Sequence, residues 1–217
     1  MRIETPIPGI RIKHRSGAIH VESEALLTTL SSSFHGGGFR RVRHILNANV
    51  PVDYCSNDPA SDLERIACQC GITGPFIGLL TAVPLSKARL ALVEDNGVRV
   101  GVLATAGIGN ATSAGISAPH RATPGTINLI VLLHAALTRA AMVNAIITAT
   151  EAKTATLTEM AIHTPDGALA TGTSTDTVTV ATTGLGAPHP YAGPATVPGW
   201  LVAKAVRQAV RDSLLAE

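Results

Sequence analysis

Two stretches of this chain place carboxylates where they could do chemistry. In TATEAKT, 148–154, Glu151 precedes Lys153 in a segment whose apolar or small residues at 140, 143, 147, 154, 157 and 161 recur in helical steps of three and four. At about 100° per residue, Glu151 and Lys153 fall near opposite edges of that stripe, and Thr150 and Thr154 near its centre. A buried hydroxyl without a partner costs about 1–3 kcal/mol, so threonines on a packing face imply back-bonding to the helix or a polar site opposite them. Glu151 reads either as a solvated residue beside a cation or as a general base. In the strand 171–182, period two puts Ser174, Asp176, Val178 and Val180 on one face and a ladder of threonines on the other. A carboxylate on that apolar face is hydrogen-bonded, paired or at the rim of a cleft, or else it caps a turn at the strand's start. Two converging carboxylates would suit amide hydrolysis, which needs an activated water, a stabilised oxyanion and a proton for the leaving amine.

Two asparagines are candidates to bind a ligand. Asn110 ends ATAGIGNA, 104–111, where a strand runs into a Gly-rich turn, and Asn128 lies in GTINL, 125–129, at the start of a strand apolar on both faces. The Asn128 amide has four hydrogen-bonding sites and little nearby polarity, so it either ties two strands together or meets an amide-rich ligand. Four motif fragments fail on context. His35-Gly36-Gly37-Gly38 is like an esterase oxyanion loop, but its companion Gly172-Thr173-Ser174-Thr175 has Asp176 where a nucleophile elbow closes with Gly. Gly107-Ile108-Gly109 is an incomplete dinucleotide fingerprint beyond a hairpin, and Cys68-Gln69-Cys70 has no second cluster with which to hold a metal.

The elements that must position these residues alternate short apolar runs with turns. To about residue 50 the runs read as successive short strands; a helix follows from about 59 to 70, opened by Pro59 and stopped by Gly71. FIGLLTAV, ARLALVED and VRVGVLATAG read as strands, the last two joined antiparallel at Asp95-Asn96-Gly97. A loop spans Asn110 to Pro124, then come the buried strand TINLIVLL, a long helix over 137–162, the threonine-rich strand, a Gly/Pro loop to 199 and a final amphipathic helix. Strands in blocks with few strand-helix alternations predict an α+β fold: one domain over 1–217, a mixed, largely antiparallel sheet against a few helices.

Composition narrows the function classes. With 217 residues, 46% of them hydrophobic, the chain supports one core, and with 3% aromatic residues and a net charge of +2 it offers neither the stacking platform nor the basic stripe of a nucleic-acid binder. Three cysteines without framework spacing, a polar N-terminus and apolar runs shorter than the roughly 20 residues of a spanning helix predict a cytoplasmic protein without a membrane partner.

In order and spacing, SSSFHGGGF, ILNANV, GLLTAV, LATAGIGNA, GTINLIVLL, TATEAKTATL, ATGTSTDTV and a late YAG resemble the adenosylcobinamide amidohydrolase family over residues 27–210. The resemblance implies hydrolysis of adenosylcobinamide to adenosylcobyric acid and an aminopropanol, in corrinoid salvage for coenzyme B12 synthesis. The sequence departs from the family pattern at Pro194-Ala195, where Thr-His is usual, and at His35, where Asn is common. On this reading Glu151 and Asp176 are catalytic, and Asn110, Thr126, Asn128, Lys153, His35 and Tyr191 contact substrate. The cobalt corrinoid is the substrate; no cofactor or metal site is expected, and a homo-oligomer is compatible with the sequence. A second mechanism uses a threonine nucleophile, Thr126 or Thr150. A non-catalytic corrinoid carrier or sensor, and an esterase or amidase for another substrate, are the alternative functions.

Overall fold

Residues 2–5, 7–119 and 125–216 are described by a computed structural model. Strands β1 (Arg2–Glu4), β2 (Ile10–Arg15), β3 (Ala18–Ser31) and β4 (Gly38–Asn49) precede helix α1 (Pro59–Gln69) and β5 (Phe76–Thr81). β6 (Arg89–Asp95), β7 (Val98–Ala106), β8 (Ala111–Thr112), β9 (Ile127–His134) and β10 (Ala136–Leu137) lead into helix α2 (Arg139–Glu159). β11 (Gly172–Thr173), β12 (Thr177–Thr182), β13 (Pro188–His189) and helix α3 (Val197–Leu214) follow.

Nine strands of the described residues form one mixed sheet, ordered β1-β2-β3-β12-β9-β7-β6, with β4 paired to β3 and β5. Its pairings are antiparallel except β12 with β9 and β4 with β5. The architecture is therefore α+β, as the strand blocks predict. Asn96 and Gly97 have φ of 48° and 77°, the left-handed backbone of a tight hairpin, and β6 turns there into β7. The N-terminal region differs from the expected short strands. β3 runs for 14 residues and β4 for 12, and a register shift between Glu22 and Leu27 lets β3 stay paired to β4 while its other edge passes from β2 to β12.

Alternation along the strands sorts side chains into layers. Leu103, Ile130, Leu132 and Ala181 face Ile12, Val21, Ile45, Ile77 and Leu79, so the β2–β5 region folds over the β7-β9-β12 region. The residues between them in sequence, Val102, Leu129, Val131 and Val180, face α2 and α3. Helix α1 covers the far side through Leu63 and Ala67 against Leu46 and Ala48. The order of layers is α1, sheet, sheet, α2 with α3. Among the described residues no helix is long and apolar enough to cross a membrane.

Two expectations need correction. Helix α2 buries Ala141, Met142, Ala145, Thr148, Ala149, Ala152, Lys153, Thr156 and Leu157, whereas Val143 and Ile147 of the expected stripe are 44% and 49% exposed. Alanines and threonines surround this helix so evenly that its pattern selects no face. The expected strand 171–182 is broken into β11 and β12, because Asp176 folds back to accept from the Thr173 amide and hydroxyl. Part of the expected loop, 120–124, lies outside the described residues, and its Ala111–Thr112 portion pairs with β11.

Candidate active site

The start of β9 and the start of β12 lie side by side, with Asn128 opposite Thr177. Period two sends the side chains at this edge to opposite faces, and the two faces carry different chemistry.

On the face toward α2, Lys153 pairs with Asp176, and their side chains are 7% and 13% exposed. One Asp176 oxygen accepts from the Ile127 amide at 3.0 Å and from the Thr173 hydroxyl; the other accepts from the Thr173 amide at 3.1 Å and from Lys153 Nζ. Four donors occupy the carboxylate. Desolvation makes such a pair costly unless its remaining lone pairs are satisfied, and here they are. Gly172 lies against the pair: a Cβ there would overlap both Asp176 Oδ2 and Lys153 Nζ.

On the face between the sheets the groups are neutral. Asn128 Nδ2 donates to the Leu80 carbonyl at 2.8 Å and to Asn47 Oδ1 at 3.0 Å, and Asn47 Nδ2 donates to Thr105 Oγ1 at 3.0 Å. Thr126 Oγ1 lies 2.8 Å from the Thr175 carbonyl and 3.3 Å from Asn128 Oδ1. Asn47, Asn128, Thr105 and Thr126 are all buried. The network ends at a cavity of about 330 Å³ whose lining includes Thr126, Gly125, Thr175, Thr177, Leu80 and Tyr54. Tyr54 is the titratable residue of that lining; burial raises its hydroxyl above the usual range, and it donates to Asp62 at 2.8 Å. The wall beside Tyr54 is fixed by Asn49, whose amide donates to the carbonyls of Thr81 and Val83.

Asn110 flanks this edge. Its Nδ2 donates to Ser174 Oγ at 2.8 Å, and its side chain lies against Gly125, whose φ is 136° and where a Cβ would come within 2.5 Å of Asn110 Oδ1. Gly125 is required there on both counts.

The residues expected to act together separate into groups. Asp176 and Lys153 meet each other, but between β12 and α2, and they do not line the Thr126 cavity. Glu151 is exposed; two residues before Lys153 it points about 200° away around the helix, so the two carboxylates do not converge. Thr150 is also exposed and back-bonds to the Ile146 carbonyl at 2.9 Å, and Thr154 donates to the Thr171 carbonyl instead of facing a site. Thr126 and Asn128 share the inter-sheet network, with Asn110 beside them. His35 stacks on Phe76 at 4.3 Å and lies 3.6 Å from Glu64, in a separate cavity of about 390 Å³ that contains none of the buried amides. Tyr191 is 67% exposed. Asn47 is the residue that reading the sequence missed: it lies in ILNANV with Asn49 two residues on, in a strand that also carries Arg40, Arg41, Arg43 and His44, so it does not stand out as Asn128 does in INLIVLL.

The comparisons with known proteins bear on the whole chain. The family model described as adenosylcobinamide amidohydrolase matches residues 4–217. A Methanosarcina mazei protein named adenosylcobinamide amidohydrolase is 34% identical over 212 residues, 94% of this chain and 96% of that protein. A Halobacterium salinarum protein of the same name is 35% identical, covering 85% of this chain and 79% of its own length. Among solved structures, the PH0078 protein from Pyrococcus horikoshii OT3 matches with a TM-score of 0.50 at 16% identity, over 94% of this chain and 79% of that one, a likeness of fold. By its family model and these relatives, the chain belongs to the adenosylcobinamide amidohydrolase family.

Proposed function

We propose that this protein hydrolyses the aminopropanol amide of adenosylcobinamide, releasing adenosylcobyric acid and an aminopropanol, and so returns incomplete corrinoids to coenzyme B12 synthesis. The observation that carries the reading is the family match over residues 4–217, with relatives of that name at about a third identity across most of the chain.

The cavity at Thr126 is where we place the reaction. A corrin ring is larger than about 330 Å³, so the macrocycle rests outside and one amide arm enters. Asn128 Oδ1 and the Thr175 carbonyl can only accept, so the Thr126 proton goes to one of them. The lone pairs of Thr126 Oγ1 are then left for the cavity, where an entering amide N–H would donate to them. Asp176 and Lys153 serve this arrangement from the other face: by fixing the Ile127 amide, Asp176 fixes the backbone that carries Thr126. The substrate brings its own cobalt, and among the described residues no three His, Cys, Asp or Glu side chains gather to hold another metal. Cys68 and Cys70 are in no disulfide, which supports a reducing, cytoplasmic setting.

The same lone pairs support a second route. Thr126 Oγ1 would attack the amide carbonyl, losing its proton to the departing amine; the C–N bond breaks, an ester to Thr126 remains, and water then hydrolyses it. Incubation with adenosylcobinamide and mass spectrometry for adenosylcobyric acid tests the reaction. An acyl adduct mapped to Thr126 selects the ester route, and its absence during turnover selects direct attack by water.

A further inference from the structure

We propose that Asn47, on the opposite sheet layer and out of reach of substrate, is a positioning residue for the Thr126 hydroxyl. The inference rests on the reading of the Thr126 cavity as the reaction site.

An asparagine amide can present either its oxygen or its NH₂ toward a neighbour, and rotation by about half a turn exchanges them. The Leu80 carbonyl can only accept, so the Asn128 atom facing it is Nδ2. Asn47 Oδ1 accepts the second Asn128 proton, which leaves Asn47 Nδ2 to donate to Thr105 Oγ1, a hydroxyl that can take either role. With both protons engaged, Asn128 can turn only its oxygen to Thr126. Were Asn128 to flip, its NH₂ would donate to Thr126 Oγ1 and occupy a lone pair meant for the cavity. The Leu80 carbonyl and, from the opposite layer, Asn47 Oδ1 therefore hold Asn128 in one orientation and through it the Thr126 hydroxyl. Asn47 is 1% exposed, so its effect runs through Asn128 and not through contact with a ligand.

The test compares Asn47→Leu, which removes the acceptor, with Asn47→Asp, which keeps an acceptor for Asn128. In the free protein, the Asn128 side-chain amide protons exchange slowly by NMR in wild type and in N47D, and faster in N47L. With adenosylcobinamide, N47L loses about tenfold or more in kcat/KM, the scale of one misdirected hydrogen bond, and N47D stays within about threefold. Equilibrium dialysis of adenosylcobinamide supplies the coupling. N47L weakens binding in the wild-type background and has no further effect once Thr126→Val has removed the hydroxyl, whereas a merely structural role weakens binding by the same factor in both. Three results would each overturn the proposal: exchange unchanged in N47L, N47D no better than N47L, or equal losses of binding in both backgrounds. If wild type binds the corrinoid without turning it over, the hydrolase reading fails, and the exchange and binding series still decides the role of Asn47.

Discussion

The paired ends of β9 and β12 show two ways of making polar groups tolerable inside a protein. Toward α2 the edge is charged: a lysine and a carboxylate are buried together, with four donors around the carboxylate and Gly172 leaving room for both. Toward the overlying β2–β5 region of the sheet it is neutral: two asparagines and two threonines, with the last hydroxyl in the wall of a cavity. The charged face is closed and offers nothing to a ligand. The neutral face has a lone pair left over. One holds the edge and, on the proposed reading, the other works at it; the four residues from Gly125 to Asn128 and the five from Thr173 to Thr177 join the two.

The largest perturbation breaks the closed face. Asp176→Ala leaves the Lys153 ammonium buried beside unmatched amides and is expected to cost about 3–5 kcal/mol in chemical denaturation. Replacing both partners with apolar residues is expected to recover most of that stability but not turnover, because the Ile127 amide stays unanchored.

A third polar pair brings acid sensitivity: the ring nitrogens of His20 and His44 lie 3.0 Å apart. Burial first, then the neighbouring His44, lowers the His20 pKa to about 4, and burial lowers that of His44. Between about 6.5 and 4 the unfolded chain binds more protons than the folded one, so stability falls as pH falls through that window. The His20 share approaches about 3 kcal/mol below it. Melts between pH 7 and 4 should show the loss, and His20→Gln should flatten it.

Gly172→Ala crowds the ion pair and is expected to destabilise by about 1–3 kcal/mol with a larger proportional loss of turnover than of corrinoid affinity. Glu151→Gln is the smallest change. An exposed carboxylate pointing away from Lys153 should alter stability by less than about 0.5 kcal/mol and leave turnover within about twofold. A collapse of activity in a folded E151Q protein would return Glu151 to the site.

Local rules carried the sequence a long way in this chain. Asp-Asn-Gly marked the β6–β7 hairpin, Pro59 and Gly71 bracketed α1, and period two set Asp176 on the face of Val178 and Val180, where it lies. Helix α2 was legible as a helix but not in its rotation, since its small residues give almost no contrast between faces. The partnership of Asn47 with Asn128, 81 residues apart, was not legible, because it depends on one sheet region folding over another. Helical spacing separates Glu151 from Lys153 as predicted; the expected meeting of Glu151 with Asp176 fails because Lys153, and not Glu151, turns to Asp176.

The most direct test is turnover of adenosylcobinamide by wild type and by Thr126→Val, with folding checked by thermal melts and product followed by mass spectrometry. Adenosylcobyric acid from wild type, reduced about a hundredfold or more in a folded T126V, is the predicted result, on the scale of losing one group that acts in the transition state. Product from T126V at the wild-type rate would contradict the site, and no product from wild type would contradict the function.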